Sequence, residues 1–212
     1  MNEKKRRIGI MGGTFDPIHL GHLAVAENVR EMCHLDHVLF IPSANPPHKR
    51  GHRLAAARHR YAMTLLAICS NPYFSISSLE MDRPGLSYAV DTVQELLRIY
   101  GQETSFYFIT GADAIKELPD WERVDELLSI CHFVAAARPG PAPDFAHLWR
   151  RFGAIGREHI HCLTTPELDI SSTDIRARVH QGLSIKYIVP ESVVQYIYKE
   201  GLYNTEEDAP QF

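Results

Sequence analysis

Short apolar runs, alternating with stretches whose apolar residues recur at helical spacing, constrain this chain more than any other feature. Residues 7–11 (RIGIM) read as a strand, and residues 20–33 place Leu23, Ala26, Val29 and Cys33 on one helical stripe. The pattern then repeats. A strand is expected over 37–42, stopped by Pro42, and a helix over 56–70. A third strand follows over 74–81, and a helix over 88–101 that closes on Gly101. A fourth strand over 104–111 leads into the helical stretches ADAIKEL and WERVDELLS. Strands at 131–137 and 159–163 come next, then helices at 171–181 and 190–200. Strands alternating with helices imply a parallel sheet covered on both faces, an α/β, Rossmann-like fold with a C-terminal helical portion. With no linker and no internal repeat, residues 1–203 read as one domain, and 204–212 as a disordered tail.

Ligands of such sheets sit at the carboxyl ends of the strands, near the switch point of the strand order. The polar, Gly-rich or Pro-rich segments at 12–19, 42–53, 110–113 and 138–143 all follow expected strands. The first of them is the most informative: GIMGGTFDPIHLGH, residues 9–22. Gly12 and Gly13 let the backbone turn tightly and approach a ligand. The N–H groups of Gly13, Thr14 and Phe15 can then face an anion, and the helix opening near Leu20 adds its positive end. His19 falls just before that helix and His22 in its first turn, with Gly21 between them keeping the path to a ligand open. Imidazoles beside oriented amides suit a phosphate, whose charge they stabilise without abstracting a proton. The motif is neither GxGxxG nor a Walker loop. No acid closes the second strand to hold a ribose, which argues against a dinucleotide redox cofactor.

Charge narrows the partners. Lys plus Arg number 22 and Asp plus Glu 26, a net charge of −4, whereas polyanion binders carry a basic excess; nucleic acid is not the expected partner. No apolar run approaches the ~18 residues of a membrane span, and the apolar stretch after MNEKKRR is too short for a signal-peptide core. Cys33, Cys69, Cys131 and Cys162 show no CxxC spacing and read as reduced thiols of a cytoplasmic protein. His159 and His161 are expected on one face of a strand near Cys131 and His132. Structural zinc sites show tighter paired spacing, so no metal site is assigned.

GGTFDPIHLGH resembles the HxGH signature of the nucleotidylyltransferase superfamily. NPPHK (45–49), LSYAVDTV (86–93), GADAIKELPDW (111–121), ARPG (137–140), ISSTDIR (170–176) and YIVPESVVQYIYKEGLY (187–203) follow in the order found in the bacterial nicotinate mononucleotide adenylyltransferases. The likeness spans nearly the whole chain. It implies adenylyl transfer from ATP, with Mg²⁺, to nicotinate mononucleotide, giving nicotinate adenine dinucleotide and pyrophosphate in NAD synthesis. A homo-oligomer is compatible with it.

The resemblance assigns His19, His22, Lys49 and Arg176 to the chemistry. Gly12, Gly13, Thr14, Phe15, Gly111, Asp113, Arg138 and Ser172 fall to ATP and phosphate binding, and Ser87, Tyr88, Ala89 and Trp121 to the mononucleotide. Ser171 or Ser172 can also cap a helix, leaving free N–H groups for a phosphate that Arg176 reaches. Trp121 suits stacking on a flat, electron-poor ring. Ala89 departs from the family's SYTxDT pattern, putting threonine's role in selecting acid over amide substrate in question. Alternatives are an adenylyltransferase acting on nicotinamide mononucleotide or phosphopantetheine, or a non-catalytic nucleotide sensor. A class I aminoacyl-tRNA synthetase fragment is opposed by the missing KMSKS motif.

Overall fold

A computed structural model describes residues 5–46, 54–137, 139–141, 143–166 and 168–204. Six parallel strands form one sheet in the order β3-β2-β1-β4-β5-β6. They are β1 (Arg7–Gly13), β2 (His37–Pro42), β3 (Phe74–Ile76), β4 (Ser105–Gly111), β5 (His132–Ala137) and β6 (Ile160–Thr164). The order reverses between β1 and β4, so a crevice opens at their carboxyl ends. Gly12 and Gly13 lie beside Ile41 and Pro42 of β2, and Met11 beside Ile109 of β4, so the loop after β1 leaves from that point.

Side-chain alternation along the strands builds two cores. Phe106 and Phe108 of β4, with Ile8 and Ile10 of β1, face a cluster completed by α4 (Ala89–Tyr100), α6 (Val124–Ile130) and α7 (Ala146–His159). Tyr107, Ile109 and Met11 point the other way, toward α1 (Leu20–Met32), α2 (Ala57–Ile68), α8 (Ser172–His180) and α9 (Glu191–Glu200). Two short helices, α3 (Leu79–Asp82) and α5 (Ala112–Lys116), and a 3-10 turn at Leu118–Asp120 lie along the rim of the crevice.

Three expectations need correction. The third strand stops at Ile76 rather than running to 81: Ser77 and Ser78 interrupt the apolar alternation, and the chain turns into α3, burying Leu79 and Glu80. Residues 146–159, not assigned by sequence, form α7, with Leu148, Phe152 and Gly156 buried and a kink at Gly153 (φ 58°, ψ −129°). His159 therefore ends α7 instead of sharing a strand face with His161. The four cysteines are unpaired. Among the described residues no helix is long and apolar enough to cross a membrane. Of the expected tail, residues 205–212 lie outside the described residues.

Candidate active site

Two cavities open side by side at the crevice. The larger, about 440 Å³, is bordered by Gly12, Gly13 and Thr14 of the first loop, by Ser87, Tyr88 and Ala89 at the start of α4, and by Phe108 and Trp121. The smaller, about 300 Å³, is bordered by Met11, His19, Gly21, His22, Gly111 and Thr165. Thr110, near the end of β4, borders both. Both cavities therefore lie at the carboxyl ends of β1 and β4.

The histidine pair follows from the turn that starts α1. His19 is the N-cap, with extended φ/ψ of −145° and 171°. Its N–H donates to Nδ1 of His22 at 3.3 Å, and the two rings stack with centroids 3.7 Å apart. An accepting Nδ1 puts the proton of the neutral His22 ring on Nε2. His19 is only 7% exposed, and burial lowers its pKa to about 4. It is a neutral imidazole at physiological pH. Gly21 makes the stack fit: a Cβ there would lie 3.0 Å from Nδ1 of His19. Gly12 is constrained similarly, since its Cβ would lie 2.9 Å from the Phe108 ring at the wall of the larger cavity.

The loop carrying the motif is held from below by residues the sequence reading did not single out. Asp16 is 2% exposed; its Oδ1 accepts from the Tyr203 hydroxyl at 2.7 Å and from the Ala55 N–H at 3.3 Å. Burial and the Asp16 carboxylate push the Tyr203 phenol pKa far up, keeping it a donor. Arg60, 1% exposed, donates to the carbonyls of Thr14 (2.8 Å), Ser43 (2.7 Å), Ala44 (3.3 Å) and Ala55 (3.0 Å). One guanidinium therefore fixes the loops after β1 and β2 together. Burial lowers its pKa and Asp16 opposes that. A signal existed: Arg60 shares the stripe of Met63, Thr64 and Ala67, an arginine on the buried face of a helix.

The C-terminal helices close the ring of contacts. Ser171 caps α8, accepting from the Asp174 N–H at 3.0 Å, while the Ser172 hydroxyl donates to the Pro17 carbonyl at 2.9 Å. Arg176 donates to the Asp16 carbonyl at 2.7 Å and to the Thr173 hydroxyl at 3.2 Å, with Asp16 Oδ2 4.0 Å away. The first N–H of α1, on Leu20, bonds to the Ile188 carbonyl at 3.1 Å.

The structure brings together the expected residues Gly12, Gly13, Thr14, Ser87, Tyr88, Ala89 and Trp121 at one cavity and His19, His22 and Gly111 at the other. Phe15 is a core residue at φ +50°, its ring edge-on to His22. Asp113 borders neither cavity and pairs with Lys116 at 2.9 Å. Lys49 and Arg138 lie outside the described residues, as do His48, Arg50, His52 and Arg53. Trp121 is both core and wall: edge-on to Phe108 and Phe133, with centroids 5.6 and 5.9 Å away, it borders the larger cavity.

Away from the crevice, His132 stacks on Tyr107 and on His159, and His161 lies 3.3 Å from its Nδ1. Among the described residues no group of three His, Cys, Asp or Glu is placed to hold a metal.

A model of the cytidylyltransferase-like family matches residues 10–178. A Moorella thermoacetica protein described as a probable nicotinate-nucleotide adenylyltransferase is 53% identical over 203 residues, 95% of this chain and 94% of that one. A Thermoanaerobacter protein with the same description is 49% identical over 211 residues, covering 97% of this chain and 98% of the relative. Among solved structures, Plasmodium falciparum nicotinic acid mononucleotide adenylyltransferase complexed with NaAD superposes with a TM-score of 0.77. It covers 94% of this chain and 98% of that chain at 21% identity, a likeness of fold.

Proposed function

This chain belongs to the cytidylyltransferase-like family and, within it, to the nicotinate-nucleotide adenylyltransferases; from that premise we propose that it transfers the adenylyl group of ATP to nicotinate mononucleotide. The products are nicotinate adenine dinucleotide and pyrophosphate. The observation that carries this reading is the pair of cavities meeting at Thr110, one with a stacked imidazole pair and one with an aromatic wall.

ATP is assigned to the His19–His22 cavity and the mononucleotide to the larger one. The 5′-phosphate of the mononucleotide is already anionic, so its attack on the α-phosphorus needs no general base. The work is alignment and charge neutralisation. His22 offers Nε2–H to an α-phosphate oxygen, and its orientation is set by the His19 N–H on Nδ1. His19, neutral and buried, stacks on His22 and faces the same cavity. Arg176 and Lys49 are assigned to the ATP phosphates, Arg176 reaching them from beside Asp16.

Trp121 stacks on the pyridine ring, and the N–H groups opening α4 bind its carboxylate. Magnesium is assigned to the ATP phosphates, where it would supply charge neutralisation. Unpaired cysteines support a cytoplasmic setting.

The test is pyrophosphate release from ATP and Mg²⁺ with nicotinate mononucleotide, nicotinamide mononucleotide and phosphopantetheine offered separately. Turnover with the first, far above the others, is expected. Turnover with phosphopantetheine alone, or with none of them, overturns the reading.

A further inference from the structure

The larger cavity poses a charge problem that phosphate chemistry does not answer. Among the described residues, the charged side chains bordering it are all acidic: Glu80, Asp120 and Glu122. The molecule assigned to it carries a phosphate. Asp120 and Glu122 are exposed at the rim, where water screens them.

Glu80 is different. It is 6% exposed, on α3. Its Oε1 accepts from the Thr92 hydroxyl at 2.8 Å, but its buried Oε2 has no hydrogen-bond partner among the described residues. Arg83 does not bond it: that guanidinium is spent on Thr92 Oγ1 at 2.8 Å and Glu95 at 3.4 Å. A half-satisfied buried carboxylate is unfavourable until a cation comes near. The same wall presents Tyr88, Phe108 and Trp121, residues whose ring faces attract flat cations.

We propose that Glu80 is a specificity-determining residue that reads the fixed positive charge of a quaternised pyridinium ring. The inference rests on the larger cavity being the mononucleotide site. A pyridine nitrogen bonded to ribose carries its charge at every pH, so it matches a buried carboxylate with no proton transferred. The phosphate is repelled from the same end. One residue thus selects the base and turns the phosphate toward the backbone amides of the first loop and the imidazole pair. A mononucleotide with an uncharged base gains nothing from Glu80.

The test compares nicotinate mononucleotide with its 1,4-dihydro counterpart, which keeps the carboxylate, ribose and phosphate but has a neutral ring. Both are assayed with ATP on wild-type protein and on Glu80→Gln, which preserves size and the acceptor for Thr92. In the variant, kcat/KM for the quaternised substrate falls at least tenfold, through KM, while that for the dihydro substrate changes less than twofold. Equal losses for both substrates, or no loss for either, overturn the proposal and leave Glu80 as a structural partner of Thr92. Should Glu80→Gln fail to fold by circular dichroism, Trp121→Leu is read against the wild-type protein: a preference for the quaternised ring of tenfold or more that survives loss of the indole face supports the proposal, and a wild-type preference below tenfold, or one that disappears with the indole, overturns it. Wild-type protein that makes no dinucleotide from nicotinate mononucleotide overturns the functional reading itself, before any variant is compared.

Discussion

One backbone hydrogen sets His22 apart from His19. By donating to Nδ1 of His22 it holds that ring and puts its proton on Nε2, the donor the proposed function assigns to an α-phosphate oxygen, whereas Nδ1 of His19 is buried without a hydrogen-bond partner among the described residues. His22→Ala is therefore expected to lower kcat by about 10²–10³-fold, with ATP affinity changed far less, because the donor acts on developing charge. His19→Ala should do likewise, having lost the ring stacked on His22. Near-normal kcat in either variant would make the pair structural. Tyr203→Phe tests the support beneath them. It removes one buried hydrogen bond, worth about 1 kcal/mol, and frees Asp16 Oδ1 to draw on Arg176, 4.0 Å from Oδ2. A several-fold higher KM for ATP is expected, with the mononucleotide KM unchanged; equal shifts for both substrates would argue against that link. His19, His22 and the glycines could be read from sequence because their chemistry is local. Asp16, Arg60 and Tyr203 could not, because their meaning lies in contacts across 46 and 187 positions of chain.

At the scale of elements, the proposed function assigns the mononucleotide to the start of α4 and the ATP phosphates to the start of α8. Tyr88 is the N-cap of α4, and the N–H groups of residues 89–91 have no partner within the helix. Arg123 pairs with Asp91 and steadies this first turn. Donors of this kind accept a carboxylate and reject an amide NH₂. Ring charge is common to both mononucleotides, so under the proposed function the choice between them is assigned to this helix end, whose backbone donors do not depend on the side chain at Ala89. The wild-type protein is expected to prefer nicotinate mononucleotide strongly, and Ala89→Thr to change the preference by less than about tenfold, ~1.4 kcal/mol. Comparable kcat/KM values for acid and amide in the wild type would refute this. Arg176→Ala on α8 should weaken ATP in titration calorimetry and leave the mononucleotide nearly untouched; equal losses would refute that assignment. Most elements were legible because strand and helix periods differ. Helix α7 was not: Gly153 and Gly156 and the prolines before it masked the spacing of Leu148 and Phe152. The third strand was overextended because Leu79 continues an apolar pattern that α3 buries in another way.

For the whole molecule, buried imidazoles set the acid limit. Burial lowers His19 to about 4, and burial, followed by His159, His161 and Arg7, lowers His132 to about 4. Burial also lowers His37 and His161. An unfolded chain protonates these groups near pH 6.5, so between roughly 6.5 and 4 it binds more protons than the folded one. Their stabilising contribution is complete above pH 6.5 and is lost as pH falls toward 4, on the order of 3 kcal/mol for His19 alone. The melting temperature should drop between pH 7 and pH 5, and His132→Phe, which keeps a flat ring at the stack, should flatten that drop. A melting temperature independent of pH over this range would contradict the account. The contacts of Asp16, Pro17 and Leu20 with Arg176, Ser172, Tyr203 and Ile188 carry a further consequence. On the ribosome, β1 and its loop emerge before these partners and wait for residues made more than 150 positions later. A nascent chain can lay down much of its sheet while the crevice stays unlatched, and under the proposed function its ability to bind ATP is expected to appear only after Tyr203 has been made and has reached Asp16.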